Sequence, residues 1–178
     1  MGNWISVYTD EPQRLASVPS SSDQAALATI LAAHSDIDSD EQTYLTRLVD
    51  GQYECVESEE GGYLLYAFQK VCETFSPSKT TVEIYLDEEQ FPAIWQFAFG
   101  ANQTPVHLPS SSWGNPAVGY WPNSDVKNFI QTFESLDFAE LVKTTGNSGG
   151  YCDEVRDLLE ILKFADGLGR GIYVFVNE

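Results

Sequence analysis

The sequence predicts an α+β fold, a single domain over 1–178 with several amphipathic helices around a small mixed sheet. Three observations predict it. Both chain ends are rich in β-formers: Trp4-Ile5-Ser6-Val7-Tyr8 alternates near the start, and Ile172-Tyr173-Val174-Phe175-Val176 closes the chain. Between them, several windows repeat apolar residues at i, i+3, i+4 and i+7, which marks helices with one buried stripe. Strands at the ends with helices between them, rather than regular strand–helix alternation, separate α+β from α/β. At roughly 100–200 residues per domain, 178 residues make one domain. A hydrophobic share of 43% suffices for its core and excludes a wholly disordered chain.

The helices read as follows. Asp23 caps a first helix whose stripe is Leu27, Ile30, Leu31 and His34. A second starts near Asp40, uses Tyr44, Leu45, Leu48 and Val49, and stops at Gly51. A third follows Gly61-Gly62, with Leu64, Phe68, Val71, Cys72 and Phe75 in line, and ends before Pro77. Asp87-Glu88-Glu89 suit a helix N-terminus, where carboxylates meet the positive end of the dipole, and that helix extends through Trp95 to about Phe99. Pro, Ser and Gly dominate from Gly100 to Trp121, with short strands expected at Val106–Leu108 and Val118–Tyr120. Ser124 caps Val126, Phe129, Ile130 and Phe133. A short helix over Asp137–Lys143 and a long one over Asp153–Leu168 follow, the latter ended by Gly167, Gly169 and Gly171. Val7 and Tyr173 are expected on neighbouring strands, because pairing the chain ends ties down segments that otherwise fray.

The formal net charge is −18, from 27 acids against 9 bases. Nucleic-acid binders need clustered Lys and Arg for phosphate contacts, so no nucleic acid is expected as partner. An anionic membrane surface is disfavoured for the same reason. No apolar run approaches the roughly 20 residues of a membrane span, and the N-terminus shows no signal-peptide pattern. Cys55, Cys72 and Cys152 form an odd, sparse set without C-x-x-C, which reads as reduced thiols in a cytoplasm. The acids are concentrated: Asp36, Asp38, Asp40, Glu41, Asp50, Glu54, Glu57, Glu59 and Glu60 face a single base, Arg47, within 36–60.

The opening Met1-Gly2-Asn3-Trp4-Ile5-Ser6-Val7-Tyr8 resembles the start of the YfbM-like proteins, a bacterial family of unknown function. The step Val118-Gly119-Tyr120-Trp121-Pro122-Asn123-Ser124-Asp125-Val126 is similar to that family's Gly-Tyr, short-loop, helix step. The ending, a long helix followed by Gly171-Ile172-Tyr173-Val174-Phe175, is similar too, while Tyr44–Gly51 and Gly62–Phe75 look more like a longer, related group of uncharacterised bacterial proteins. The resemblance implies an α+β fold and a soluble bacterial protein, and it brings no catalytic residue with it.

Motifs that carry chemistry elsewhere are incomplete. Gly146-Asn147-Ser148-Gly149-Gly150 matches G-x-S-x-G, but a nucleophile elbow needs a strand before the Ser, and no His follows residue 107 to act as base. Asp36-Ile37-Asp38-Ser39-Asp40 resembles the start of a calcium loop, yet Glu41 stands where Gly is required and Arg47 where Glu is required. His34 and His107 have no Cys or His at ligand spacing, so no metal is expected, and His34 reads as a packed, hydrogen-bonded core residue. Gly167-Leu168-Gly169-Arg170-Gly171 sits between a helix and a strand, the reverse of a dinucleotide fingerprint. No cofactor is expected.

What remains is the acidic block. The leading expectation is a non-enzymatic acidic protein-binding module, an immunity or inhibitor protein that masks a basic partner. Its contacts would be Asp36, Asp38, Asp40, Glu41, Glu54, Glu57, Glu59 and Glu60. The alternatives are a small carboxylate-dependent hydrolase acting on carbohydrate, and a housekeeping protein whose acidity serves solubility. The hydrolase would pair carboxylates among Glu57, Glu59 and Glu60, beside Tyr53, Tyr63 and Tyr66, and use Trp95, Trp113 and Trp121 for stacking.

Overall fold

A computed structural model describes residues 3–12, 14–84, 88–89, 91–101, 105–112, 114–145 and 148–177. Its elements are β1 (Asn3–Thr9), α1 (Gln24–Ala33), α2 (Ser39–Asp50), β2 (Glu57–Ser58), α3 (Glu59–Phe75), β3 (Lys79–Ile84) and α4 (Pro92–Phe99). They continue with β4 (Ser110–Ser111), β5 (Ala117–Trp121), α5 (Asn123–Glu134), α6 (Phe138–Thr145), α7 (Ser148–Gly167) and β6 (Ile172–Asn177). The fold is α+β. Two compact units can be distinguished, one of Met1–Asp10, Ser78–Gln103 and Val118–Glu178, the other of Glu11–Pro77 and Thr104–Ala117.

The first unit holds a four-stranded sheet in the order β3-β1-β6-β5. The chain ends pair as expected: β1 is antiparallel to β6, with Val7 opposite Val174 and Tyr8 opposite Tyr173. β1 is also antiparallel to β3 on its other side, and β2 pairs with β4 in a separate, parallel two-stranded ladder. Ile5, Val7, Val174 and Val176 are buried, as the tied-down chain ends require. Phe97, Trp121, Phe129 and Phe133 form an aromatic cluster of tilted and edge-on rings, and the Trp121 indole N–H donates to the Phe97 carbonyl at 2.9 Å. Where the chain leaves β1, Asp10 is only 3% exposed. Its carboxylate accepts from the Tyr120 hydroxyl at 3.0 Å, and its backbone carbonyl faces Arg170.

The second unit packs α1, α2 and α3 through Leu27, Ile30, Leu45, Leu48, Val49, Phe68 and Val71. Asp23 caps α1 as expected, accepting from the Ala25 and Ala26 amides. Gly51 ends α2 in the left-handed region at φ 69°, where a side chain would be strained. α3 begins earlier than expected, at Glu59, with Ser58 as its cap. Gly61 and Gly62 lie inside its first turns because a Cβ at Gly61 would collide with the Ser110 carbonyl.

Several boundaries differ from the sequence reading for identifiable reasons. β3 has no counterpart in it. α4 begins at Pro92 rather than near Asp87, which lies outside the described residues. Proline presets the first helical position and pushes the residue before it, Phe91, out of the helical region. α5 begins at Asn123 with Pro122 at the cap position, so Ser124 is not the cap. The Pro122 carbonyl itself takes the Asp125 and Val126 amides. No strand covers Val106–Leu108; the short ladder falls at Ser110–Ser111. α7 starts at Ser148, five residues before the expected Asp153.

Candidate functional site

All eight predicted contact residues belong to the second unit, and all are exposed. Some of them also hold the local structure together. Asp38 caps α2: its carboxylate accepts from the Asp40 and Glu41 amides, each at 2.9 Å, while Glu41 reaches back to the Asp38 amide at 3.1 Å. This is a capping box, and it commits Asp38 to two helix amides. Asp40 lies inside the helix, so Asp36, Asp38 and Asp40 do not share a cation loop. Glu59 and Glu60 occupy the first turn of α3, where the dipole favours them. Glu57 lies on β2, while Asp36 and Glu54 lie in loops.

Arg47 on α2 makes a two-pronged contact with Glu60, at 3.2 and 3.0 Å, and its Nε donates to the Gln52 carbonyl. The hydrogen bonds from Arg47, then its charge, hold the Glu60 carboxyl below its usual range, and Glu60 in turn raises Arg47. The guanidinium also lies 5.6 Å from the Tyr44 ring, which stacks on Tyr63 at 4.8 Å and 13°. A groove of about 540 Å³ opens beside this pair, with Arg47, Tyr53, Glu54, Val56 and Glu60 among its walls. Tyr53 is fixed across it, donating to the His107 carbonyl at 3.1 Å. Val56, Tyr63 and Tyr66 add exposed apolar surface to the same unit, at 52%, 45% and 39% exposure. Burial raises the Tyr66 phenol.

Sequence reasoning found the acids and missed this groove. Arg47 and Glu60 are 13 residues apart on different helices, and no local spacing rule joins them. The available signal was that Arg47 is the single base in 36–60. Trp95 and Trp121 belong to the other unit, where Trp121 is buried, and Trp113 lies outside the described residues.

The remaining candidates are placed as follows. The His34 ring is half-buried at the end of α1, with Nε2 3.2 Å from the Thr74 hydroxyl and Nδ1 3.7 Å from Glu73. Thr74 spends its proton on the Lys70 carbonyl, so it accepts from His34 Nε2–H. His34 is therefore hydrogen-bonded as expected, but at a helix end rather than in the core. Gly146 and Asn147 lie outside the described residues; the segment before them is the helix α6. Cys55 is exposed, Cys72 and Cys152 are buried, and all three are free. Among the described residues, no group of three or more His, Cys, Asp or Glu side chains is placed to hold a metal ion. Among the same residues, no helix is long and apolar enough to cross a membrane.

No curated protein and no solved structure matches the chain. A family of uncharacterised function does: its description fits residues 1–177, so the chain belongs to the family designated Domain of unknown function (DUF7691).

Proposed function

We propose that the protein is a non-enzymatic acidic binding module that docks a basic protein partner through the face built from 36–60, as an immunity or inhibitor protein would. One observation carries the reading. The eight carboxylates are exposed on one unit, and Arg47, the single base among them, has both terminal nitrogens on Glu60. A cationic surface would relieve the remaining repulsion and be steered to it from a distance. Val56, Tyr63 and Tyr66 supply the apolar and aromatic area that interface centres favour. The free cysteines suit a reducing cytoplasm, the compartment we assign to it. The likeness to the YfbM-like proteins belongs to this same reading and rests on the opening segment, the Val118–Val126 step and the closing helix and strand.

The carbohydrate hydrolase is the second reading. It has the groove beside Tyr53 in its favour. Against it, Arg47 lowers the Glu60 carboxyl, whereas a general acid needs its carboxyl raised.

The test reverses Glu54, Glu57 and Glu59 to Lys, leaving the Arg47–Glu60 contact intact. Affinity capture at low and raised salt identifies the partner, and association kinetics then compare wild type with variant. Association slowed by at least about tenfold at low salt, with a flatter salt dependence and the fold retained, is the expected result. Equal association rates would remove this face from the account. Turnover of a glycoside, with no partner captured, would favour the hydrolase.

A further inference from the structure

Among the described residues, β3 has a strand partner only on its β1 side. Its register with β1 is continuous from Asn3 opposite Ile84 to Tyr8 opposite Lys79. One rung further, the Thr9 amide donates to the Ser78 carbonyl at 3.0 Å. Residues in an antiparallel ladder alternate between hydrogen-bonded and non-bonded pairs. Thr80, Val82 and Ile84 therefore turn their backbone groups toward β1, and Lys79, Thr81 and Glu83 turn their N–H and C=O groups to the open side. The other face of β1 agrees. The Asp10 amide donates to the Gly171 carbonyl at 2.9 Å, so the even-numbered residues of β1 serve β6 and the odd-numbered ones serve β3. Ser6 and Thr81, a non-bonded pair, bring their hydroxyls within 3.0 Å, as the closer side-chain spacing of such pairs allows.

A helix flanks this open edge. Glu154 of α7 feels the charge of Glu83, while Asp157, Glu160, Ile161 and Phe164 face Lys79 and Thr80 across a groove of about 260 Å³. α7 and β3 thus run side by side in opposite directions. Asp153, Asp157, Glu160 and Phe164 recur at i, i+4, i+7 and i+11, one exposed stripe along the helix. The helix wall is negative at one end and apolar at the other, where Phe164 is 44% exposed. Burial, then the charges of Glu83, Asp157 and Asp153, raise the Glu154 carboxyl; Arg156 pairs with Asp153 at 2.6 Å, and Asp157 and Glu160 are the acids that line the groove.

We propose that this groove takes up an extended, basic segment of a partner protein as an added strand on β3. Backbone pairing with Lys79, Thr81 and Glu83 would hold the segment, and its alternate side chains would set the choice of sequence. Side chains on the helix side meet Asp157 and Glu160, which call for Lys or Arg. An apolar residue belongs beside Ile161 and Phe164, and a base belongs opposite Glu83. An acidic segment would add charge to a wall already crowded with it. A second copy, paired about Thr81, would match Lys79 with Glu83. It would also leave the α7 carboxylates unanswered and join two chains of net charge −18. The groove shares no residue with the 36–60 face, so either surface can fail without the other.

The test uses the full chain and a synthetic peptide of alternating Lys and Val, with a fully N-methylated copy that keeps the charge and loses every backbone donor. The expected result has three parts: amide exchange at Lys79, Thr81 and Glu83 slows on binding, the N-methylated peptide binds at least about tenfold more weakly, and Asp157→Lys with Glu160→Lys weakens binding by a similar factor. Thr81→Pro should abolish binding, since the lost N–H faces the open edge. If that variant fails to fold, the two peptides on the wild-type chain decide alone. Equal affinity for both peptides would overturn the proposal, because charge alone would explain it. Protection confined to 36–60 would overturn it in favour of the other face. Edge protection that grows with protein concentration, without peptide, would overturn it in favour of self-pairing.

Discussion

The phenol of Tyr120 reports on a buried carboxylate. Burial first, then the Asp10 charge, then the hydrogen bond it donates to Asp10, push its pKa above the ordinary tyrosine value of 10.0. The sign follows from linkage. The neutral phenol is favoured in the folded chain, so its contribution is fully present below the unfolded value and is lost as pH rises beyond it. Tyr120→Phe removes a donor from a carboxylate that is 3% exposed, and should cost about 1–3 kcal/mol at neutral pH. The gap between wild type and variant, measured by denaturant unfolding, should be constant to about pH 9 and narrow above about pH 10. A gap that stays constant through pH 11 would separate Tyr120 from the alkaline limb.

Asp38 shows why an element and a docking surface must be tested separately. As the cap of α2 it binds two helix amides, and as a member of the acidic block it carries charge to the proposed face. Asp38→Ala should cost about 1 kcal/mol by thermal or denaturant unfolding, whereas Asp38→Asn should keep the cap to within a few tenths. If Asn costs as much as Ala, the charge rather than the hydrogen bonds stabilises the helix start. The same element was legible in the sequence because its stripe, Leu45, Leu48 and Val49, sits between a capping residue and Gly51. β3 was not. Lys79-Thr80-Thr81-Val82-Glu83-Ile84 follows Ser-Pro-Ser and puts polar side chains on one whole face, as an edge strand does, so it reads as loop. β2 and β4 are two residues each and owe their pairing to the close approach of Gly61 to Ser110, which no periodicity encodes. The acids of the candidate site were visible from composition. The groove was not, because Arg47 meets Glu60 through the packing of α2 on α3.

At the scale of the whole molecule the charge itself is a variable. Residues 36–60 alone set nine acids against Arg47, and the chain carries −18 in total. Ion pairs such as Lys163–Glu134 and Arg156–Asp153 lie on exposed side chains and contribute little to stability, so their screening removes little. Repulsion among the excess carboxylates acts over the Debye length, about 10 Å at 0.1 M salt, and is present in the compact state far more than in the unfolded one. Raising NaCl from about 0.02 to 0.5 M should therefore stabilise the fold. If screening recovers about 1–2 kcal/mol, the melting temperature rises by roughly 3–6 °C for a chain of this length. The variant with Glu54, Glu57 and Glu59 reversed to Lys should start from a higher melting temperature at low salt and gain less from added NaCl. A melting temperature that falls with salt would mean that the ion pairs outweigh the repulsion. The acidic face would then carry no stored electrostatic energy for a basic partner to release.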